Sequence, residues 1–205
     1  FYATITDIRI TYNLYDTLIV LDKEGNLTPG IAESWEYLSD TEIKFTIKKG
    51  IKFHNGKELT VDDVVYTINR ALESPYLAAQ ITYLEGAEVI DDTNVLIKYK
   101  TPVYYGLKMF CQPFFGIVCK NAVEEAGDSF KLNPIGSGPY KFVEWIPGDR
   151  VVLERFEDYY AGPAPIKNIV LRVITDCQQR VISMETGEID MFPAVPKLDY
   201  DYFQE

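Results

Sequence analysis

"GSGPYKFVEWIPGDRVVLER", residues 136–155, opens on a rigid turn and then alternates between apolar and polar residues. Gly136, Ser137, Gly138 and Pro139 form a connector with special backbone needs. The alternation predicts two strands, at about 140–146 and 151–156, separated by Pro147-Gly148-Asp149. Gly136-x-Gly138 leads into a strand and not a helix, so it is no phosphate cradle. Downstream, "IKNIVLRVI" predicts a third strand, and "TDCQQRVISMETG" a helix with Thr175 and Asp176 at its start, Gln178 beyond and Gly187 at its end. "EIDMF" reads as one more strand.

Upstream of the connector the pattern is strand and turn. In "EIKFTIKKG", Ile43, Phe45 and Ile47 alternate with Lys44, Thr46 and Lys48, the period of a half-buried antiparallel strand. Glu24-Gly25-Asn26 and Ser39-Asp40 supply turns, and Asn55-Gly56 a tight one. The period changes in "LTVDDVVYTINRALESP". Val61, Val64, Val65, Ile68 and Leu72 recur at helical spacing, Thr60 and Asp63 form a capping box, and Ser74-Pro75 stops the helix. The acidic pair Asp62-Asp63 suits the positive end of that helix better than a metal site. "GAEVIDDTNVLIKYK" predicts a hairpin around Asp91–Asn94, and residues 121–130 a short helix. The chain is mixed α and β, with two β-rich regions and no internal repeat.

Composition narrows the function. The 205 residues carry a net charge of -11, which disfavours nucleic-acid binding. No run approaches the ~18 apolar residues of a membrane helix. Polar and charged residues among the first twenty (Asp7, Arg9, Asn13, Asp16) exclude a signal peptide there, so an export signal is expected outside this chain. Cys111, Cys119 and Cys177 cannot all pair with one another, and they read as buried thiols; the alternative is a Cys111–Cys119 bridge across a turn. His54 is the only histidine, too few for a zinc site, and it sits beside a turn where a catalytic base is unexpected. With no nucleophile motif either, an enzyme is not expected.

Four spaced motifs then converge: "LTPGIAESWE", "IKKGIKFHNGKELTVDDVVYTINRAL", "NPIGSGPYKFVEWIPGDRVVLER", and "YYAGPAPIKNIVLRVI" with "METGEIDM". Together they resemble the family-5 extracellular solute-binding proteins of ABC importers, over about Tyr15 to Pro196. The resemblance implies an α/β fold of the type II periplasmic-binding-protein kind, in which two lobes close on a ligand. It places residues 1–15 and 120–205 in the first lobe's split domain and residues 16–119 in an inserted small α+β domain. The second lobe is absent, so the chain corresponds to the N-terminal half. Gly136–Pro139 is then the point where the chain returns from the insertion to the main lobe.

The implied function is capture of a peptide, with a nickel complex or other small solute as the alternative, and delivery to a membrane permease. A signalling receptor of the same family is a further alternative. The resemblance also implies a monomer without cofactor or catalytic site, located outside the cytoplasm, in the periplasm or at the surface as a lipoprotein. The ligand-binding positions it transfers are Tyr76 in "ESPYLA", Gln112 in "CQP", and Ala3, Thr4, Ile5 and Thr6, where the peptide would meet a strand edge. On the residues alone, Tyr76 reads as an aromatic packed beside a proline turn and Gln112 as an exposed loop amide.

Overall fold

A computed structural model of the chain describes residues 5–192. The first element is helix α1 (Ile5–Leu14). Its inner side carries Thr11 and Leu14, both buried, three residues apart as helical geometry requires. The strand edge expected at Ala3–Thr6 is therefore corrected in part: Ile5 and Thr6 open a helix, which presents no strand edge to a ligand. Ala3 and Thr4 lie outside the described residues.

A short hairpin follows, β1 (Ile19–Leu21) paired antiparallel with β2 (Leu27–Pro29). Its turn is held by Asp22, whose carboxylate accepts from the Asn26 backbone N–H at 2.7 Å and from the Asn26 amide at 3.0 Å. The principal sheet is built from β3 (Ala32–Ser39), β4 (Glu42–Ile47), β5 (Leu84–Val89) and β6 (Asn94–Tyr99), in the order β3-β4-β6-β5. Every pairing is antiparallel. The predicted alternation in β4 holds: Ile43, Phe45 and Ile47 are buried, and Val95, Ile97 and Tyr99 of β6 share their face. The opposite face carries cross-strand ion pairs, Lys44–Glu36 at 2.6 Å and Lys98–Glu88 at 2.7 Å.

Between β4 and β5 the chain forms helix α2 (Val61–Glu73). Asp63 closes its first turn by accepting at Oδ2 from the Thr60 N–H (2.9 Å) and the Thr60 hydroxyl (2.8 Å). The same carboxylate accepts at Oδ1 from Lys120 N–H at 2.8 Å, and the Thr67 hydroxyl accepts from Val118 N–H at 3.1 Å, so α2 is pinned to the 118–120 segment. Val64 and Ile68 are fully buried, as the helical spacing requires. Fully buried Phe45 and Ile68 share this core with Phe110 and Phe115, which come from two 3-10 turns at Gly106–Cys111 and Pro113–Phe115. The phenylalanines meet edge to face, Phe110 lying 5.6 Å from Phe45 and 5.2 Å from Phe115.

Helix α3 (Lys120–Ala126) runs into a 3-10 turn at Gly127–Leu132. The opening motif then yields β7 (Tyr140–Ile146) and β8 (Arg150–Arg155), joined by β9 (Asn168–Arg172) in a sheet of order β7-β8-β9. Helix α4 (Cys177–Glu185) follows, capped by Asp176, which accepts from Gln179 N–H at 2.8 Å. The chain divides into two units, residues 1–143 with 153–169, and residues 144–152 with 170–205. Among the described residues of the smaller unit only Val181 and Ser183 are buried.

Two expectations fail in the smaller unit. "EIDMF" forms no strand, because the amides of Glu188 and Ile189 both donate to Ser183 O (2.8 and 3.2 Å) and close the end of α4. Cys177 is exposed at the start of α4, with Arg180 Nη2 2.7 Å from its sulfur. A residue in the first turn of an amphipathic helix need not face its core. Cys111 and Cys119 are buried free thiols, as expected.

Candidate functional site

A groove of about 770 Å³ opens in the larger unit, within the size range of small-ligand sites. One wall is the last turn of α2 and the loop after it, where Pro75 stops the helix and turns Tyr76 outward. The Gln80 amide donates to Tyr76 O at 3.1 Å and holds that loop in shape. The other wall is the 3-10 turn at Gly127–Leu132, and the floor is apolar, with Phe114, Val118 and Phe130. Arg70 and Glu73 stand on the ridge between this groove and a shallower depression of about 330 Å³.

Tyr76 is 74% exposed. That excludes an ordinary packed aromatic and leaves a ring free on the rim of the groove. Gln112 is half-buried between the two 3-10 turns, its N–H donating to Met109 O at 3.0 Å and its carbonyl accepting from Phe115 N–H at 2.9 Å. It does not line the groove, although Phe114, two residues on, does. The structure thus does not bring the two transferred positions into one pocket. Four charged residues that the sequence reading did not single out do line it: Arg70, Glu73, Asp128 and Lys131. The helical period of α2 carried a signal for the first two, which lie three residues apart just before Ser74-Pro75. Nothing local marked Asp128 and Lys131, because only the tertiary fold brings them opposite α2.

Behind the groove lies the crossing of the chain with itself. Gly138 N–H donates to Leu14 O at 3.0 Å, and Ile117 N–H donates to Asp16 O at 2.9 Å. A Cβ on Gly136 would collide with Leu14 O, and one on Gly138 would lie 2.6 Å from Asn13 O. This close backbone approach is the physical reason for the two glycines of the opening motif.

His54 locks the same place. Its backbone N–H donates to Gly136 O at 2.8 Å, its Nδ1 accepts from Gly136 N–H at 3.2 Å, and its Nε2 lies 3.0 Å from Gly138 O. Because the Gly136 amide can only donate, Nδ1 is the acceptor and Nε2 carries the proton. The ring is neutral, and burial pushes its pKa down to about 4, against the opposing effect of the Gly138 carbonyl. With both ring nitrogens engaged, it is neither a free base nor a free metal ligand.

Asp16 is buried beside this crossing. Its Oδ1 accepts from the Tyr159 hydroxyl at 3.1 Å, and its Oδ2 is buried without a partner, as is the Ser137 hydroxyl. Burial pushes the carboxyl up to about 7, although the Tyr159 hydrogen bond and the Lys48 charge oppose the rise. Lys48 does not close an ion pair there, since its Nζ donates to Gly30 O at 2.6 Å and stands 5.4 Å over the Tyr160 ring.

Comparison with known proteins bears on what this arrangement serves. The family described as "Bacterial extracellular solute-binding proteins, family 5 Middle" matches residues 26–205. The oligopeptide-binding protein AppA of Bacillus subtilis is 35% identical over 198 residues, covering 91% of this chain and 36% of that protein. The solved structure of AppA in complex with a nonapeptide superposes with a TM-score of 0.88 at 30% identity, over 100% of this chain and 42% of that one. The periplasmic binding protein DppA of Helicobacter pylori, in complex with the peptide STSA, gives a TM-score of 0.90 over 99% of this chain and 45% of that one; at 22% identity it speaks for the fold alone. The chain thus spans well under half the length of these proteins.

Proposed function

Since the chain belongs to the family-5 bacterial extracellular solute-binding proteins, we propose that it is part of the substrate-binding component of an ABC importer, that its ligand is a peptide, and that the 770 Å³ groove at Tyr76 is where this half meets it. The observation that carries the reading is the exposed Tyr76 ring on the rim of an apolar-floored groove. A tyrosine presents a broad face at little entropic cost and suits ligands of varied sequence. The protein then works outside the cytoplasm, as a monomer, and hands its ligand to a membrane permease.

Residues 16–119 act in this reading as a small domain inserted into the first lobe. The Ile117 N–H bond to Asp16 O at 2.9 Å supports it, because the two ends of that segment then lie side by side. A nickel complex as ligand would draw no coordination from His54, whose two ring nitrogens are both engaged at the crossing.

The test is calorimetry on the full-length protein with short peptides. Tyr76→Ala is expected to weaken binding about tenfold, from a lost contact of roughly 1–1.5 kcal/mol, and to leave the melting temperature unchanged because the ring is exposed. Undiminished affinity in the variant would remove Tyr76 from the site.

A further inference from the structure

We propose that the groove reads ligand side chains of both charges, with Arg70 and Lys131 receiving carboxylates and Glu73 and Asp128 receiving ammonium or guanidinium groups. The inference rests on the peptide-binding reading and adds a specificity to it. Each wall of the groove presents one cation and one anion, three residues apart: Arg70 and Glu73 on the last turn of α2, Asp128 and Lys131 on the 3-10 turn opposite.

Opposite charges at that spacing on a helix usually attract each other. Yet none of the four makes an ion pair or a side-chain hydrogen bond, within a wall or across the groove, whereas eight other ion pairs form among the described residues. On α2 the order explains part of this, since a cation that precedes its anion is the weaker arrangement. The result is a groove with four exposed charges and no internal pair for a ligand to break.

The local balance is also distinctive. The chain as a whole carries -11, but this groove carries two charges of each sign. A site for anions or cations alone would be lined by one sign. A balanced one suits peptides, whose side chains bring either charge. The floor of Phe114, Val118 and Phe130 accepts the aliphatic stems of long charged residues while their heads reach the rim.

The experiment uses the full-length protein and three peptides of equal length that differ at one internal position, Ala, Glu or Lys, the position being moved along the peptide. Binding is read by calorimetry at fixed moderate salt. The double variant Arg70→Gln with Lys131→Gln is expected to lose about three- to tenfold in affinity for the best-bound Glu peptide and to keep its affinity for the Ala peptide. Glu73→Gln with Asp128→Asn is expected to do the same for the Lys peptide. Circular dichroism checks that both variants melt like the parent. Equal affinities of parent and variants for all three peptides would overturn the proposal, as would an equal loss for all three. A lower melting temperature with unchanged binding would give Arg70 a purely structural role at the α2 C-terminus and overturn it too. If the parent protein binds none of the peptides, the peptide reading itself fails and this proposal falls with it.

Discussion

Two buried titratable side chains stand at the crossing, and they pull stability in opposite directions with pH. His54 is held neutral with its pKa down at about 4, so its contribution is fully present above the ordinary histidine value near 6.5 and is lost as pH falls through about 4. Asp16 has its pKa raised to about 7, so its contribution is present below about 3.8 and is lost as pH rises through about 7. Above neutrality the folded chain must hold a buried carboxylate with one oxygen unpartnered. Asp16→Asn keeps the shape and the acceptor for Tyr159 while removing that charge. The variant is expected to be more stable than the parent at pH 8, by on the order of 2–4 kcal/mol, and nearly equal to it at pH 4. Denaturant titrations at the two pH values measure this; a variant less stable than the parent at pH 8 would show that the charged form is the one the fold accommodates. None of this was visible in the sequence. Asp16 looked like any polar residue near the N-terminus, and its burial depends on Tyr159, 143 residues away.

Elements were more legible than partners. The two-residue period of β4 and the helical spacing of α2 both placed the core side correctly, since each pattern is local. The sheet order was not legible: β4 pairs with β6 across an intervening helix and strand, and no local pattern names a partner that distant. Failures came where a helix end captured the residues after it, as at Ile189, whose amide donates to Ser183 O of α4, or where a helix formed in place of an expected edge, as at Ile5 and Thr6. For the candidate groove, Tyr76 was singled out only through the family resemblance, the period of α2 carried a signal for Arg70 and Glu73, and nothing local marked Asp128 and Lys131.

One contact between elements has a measurable role. Strand β5 lies at the sheet margin, and Asn69 of α2 meets it as a neighbouring strand would. Its amide donates to Ala87 O at 3.0 Å and its carbonyl accepts from Ala87 N–H at 2.9 Å. Gly86 makes room, since a Cβ there would come within 3.0 Å of Asn69 Oδ1. Asn69→Ala leaves both Ala87 groups without these partners and is expected to cost about 1–3 kcal/mol in chemical denaturation. A cost below ~0.5 kcal/mol would mean that solvent replaces the amide there without loss.

On the scale of the whole molecule, burial is unevenly spread. The larger unit holds the phenylalanine core and the groove, while Val181 is the only buried apolar residue described in the smaller one. A strongly acidic chain of this kind stays soluble by self-repulsion, at some cost to the compact state. Within it, the groove is lined by two charges of each sign, Arg70 and Lys131 against Glu73 and Asp128.

The crossing also sets the order in which the chain can assemble. The contact of Gly138 with Leu14, and that of Asp16 with Tyr159, closes a loop of more than a hundred residues, whereas β3–β4 and β5–β6 close over a few. Long closures form slowly, because their entropy is lost before any contact compensates it. The hairpins should already be present at the rate-limiting barrier and the crossing should lock afterwards. His54→Ala is then expected to speed unfolding and leave refolding nearly unchanged, while Ile97→Val in β6 slows refolding. Stopped-flow traces in which His54→Ala slows refolding in proportion to its loss of stability would place the crossing inside the nucleus.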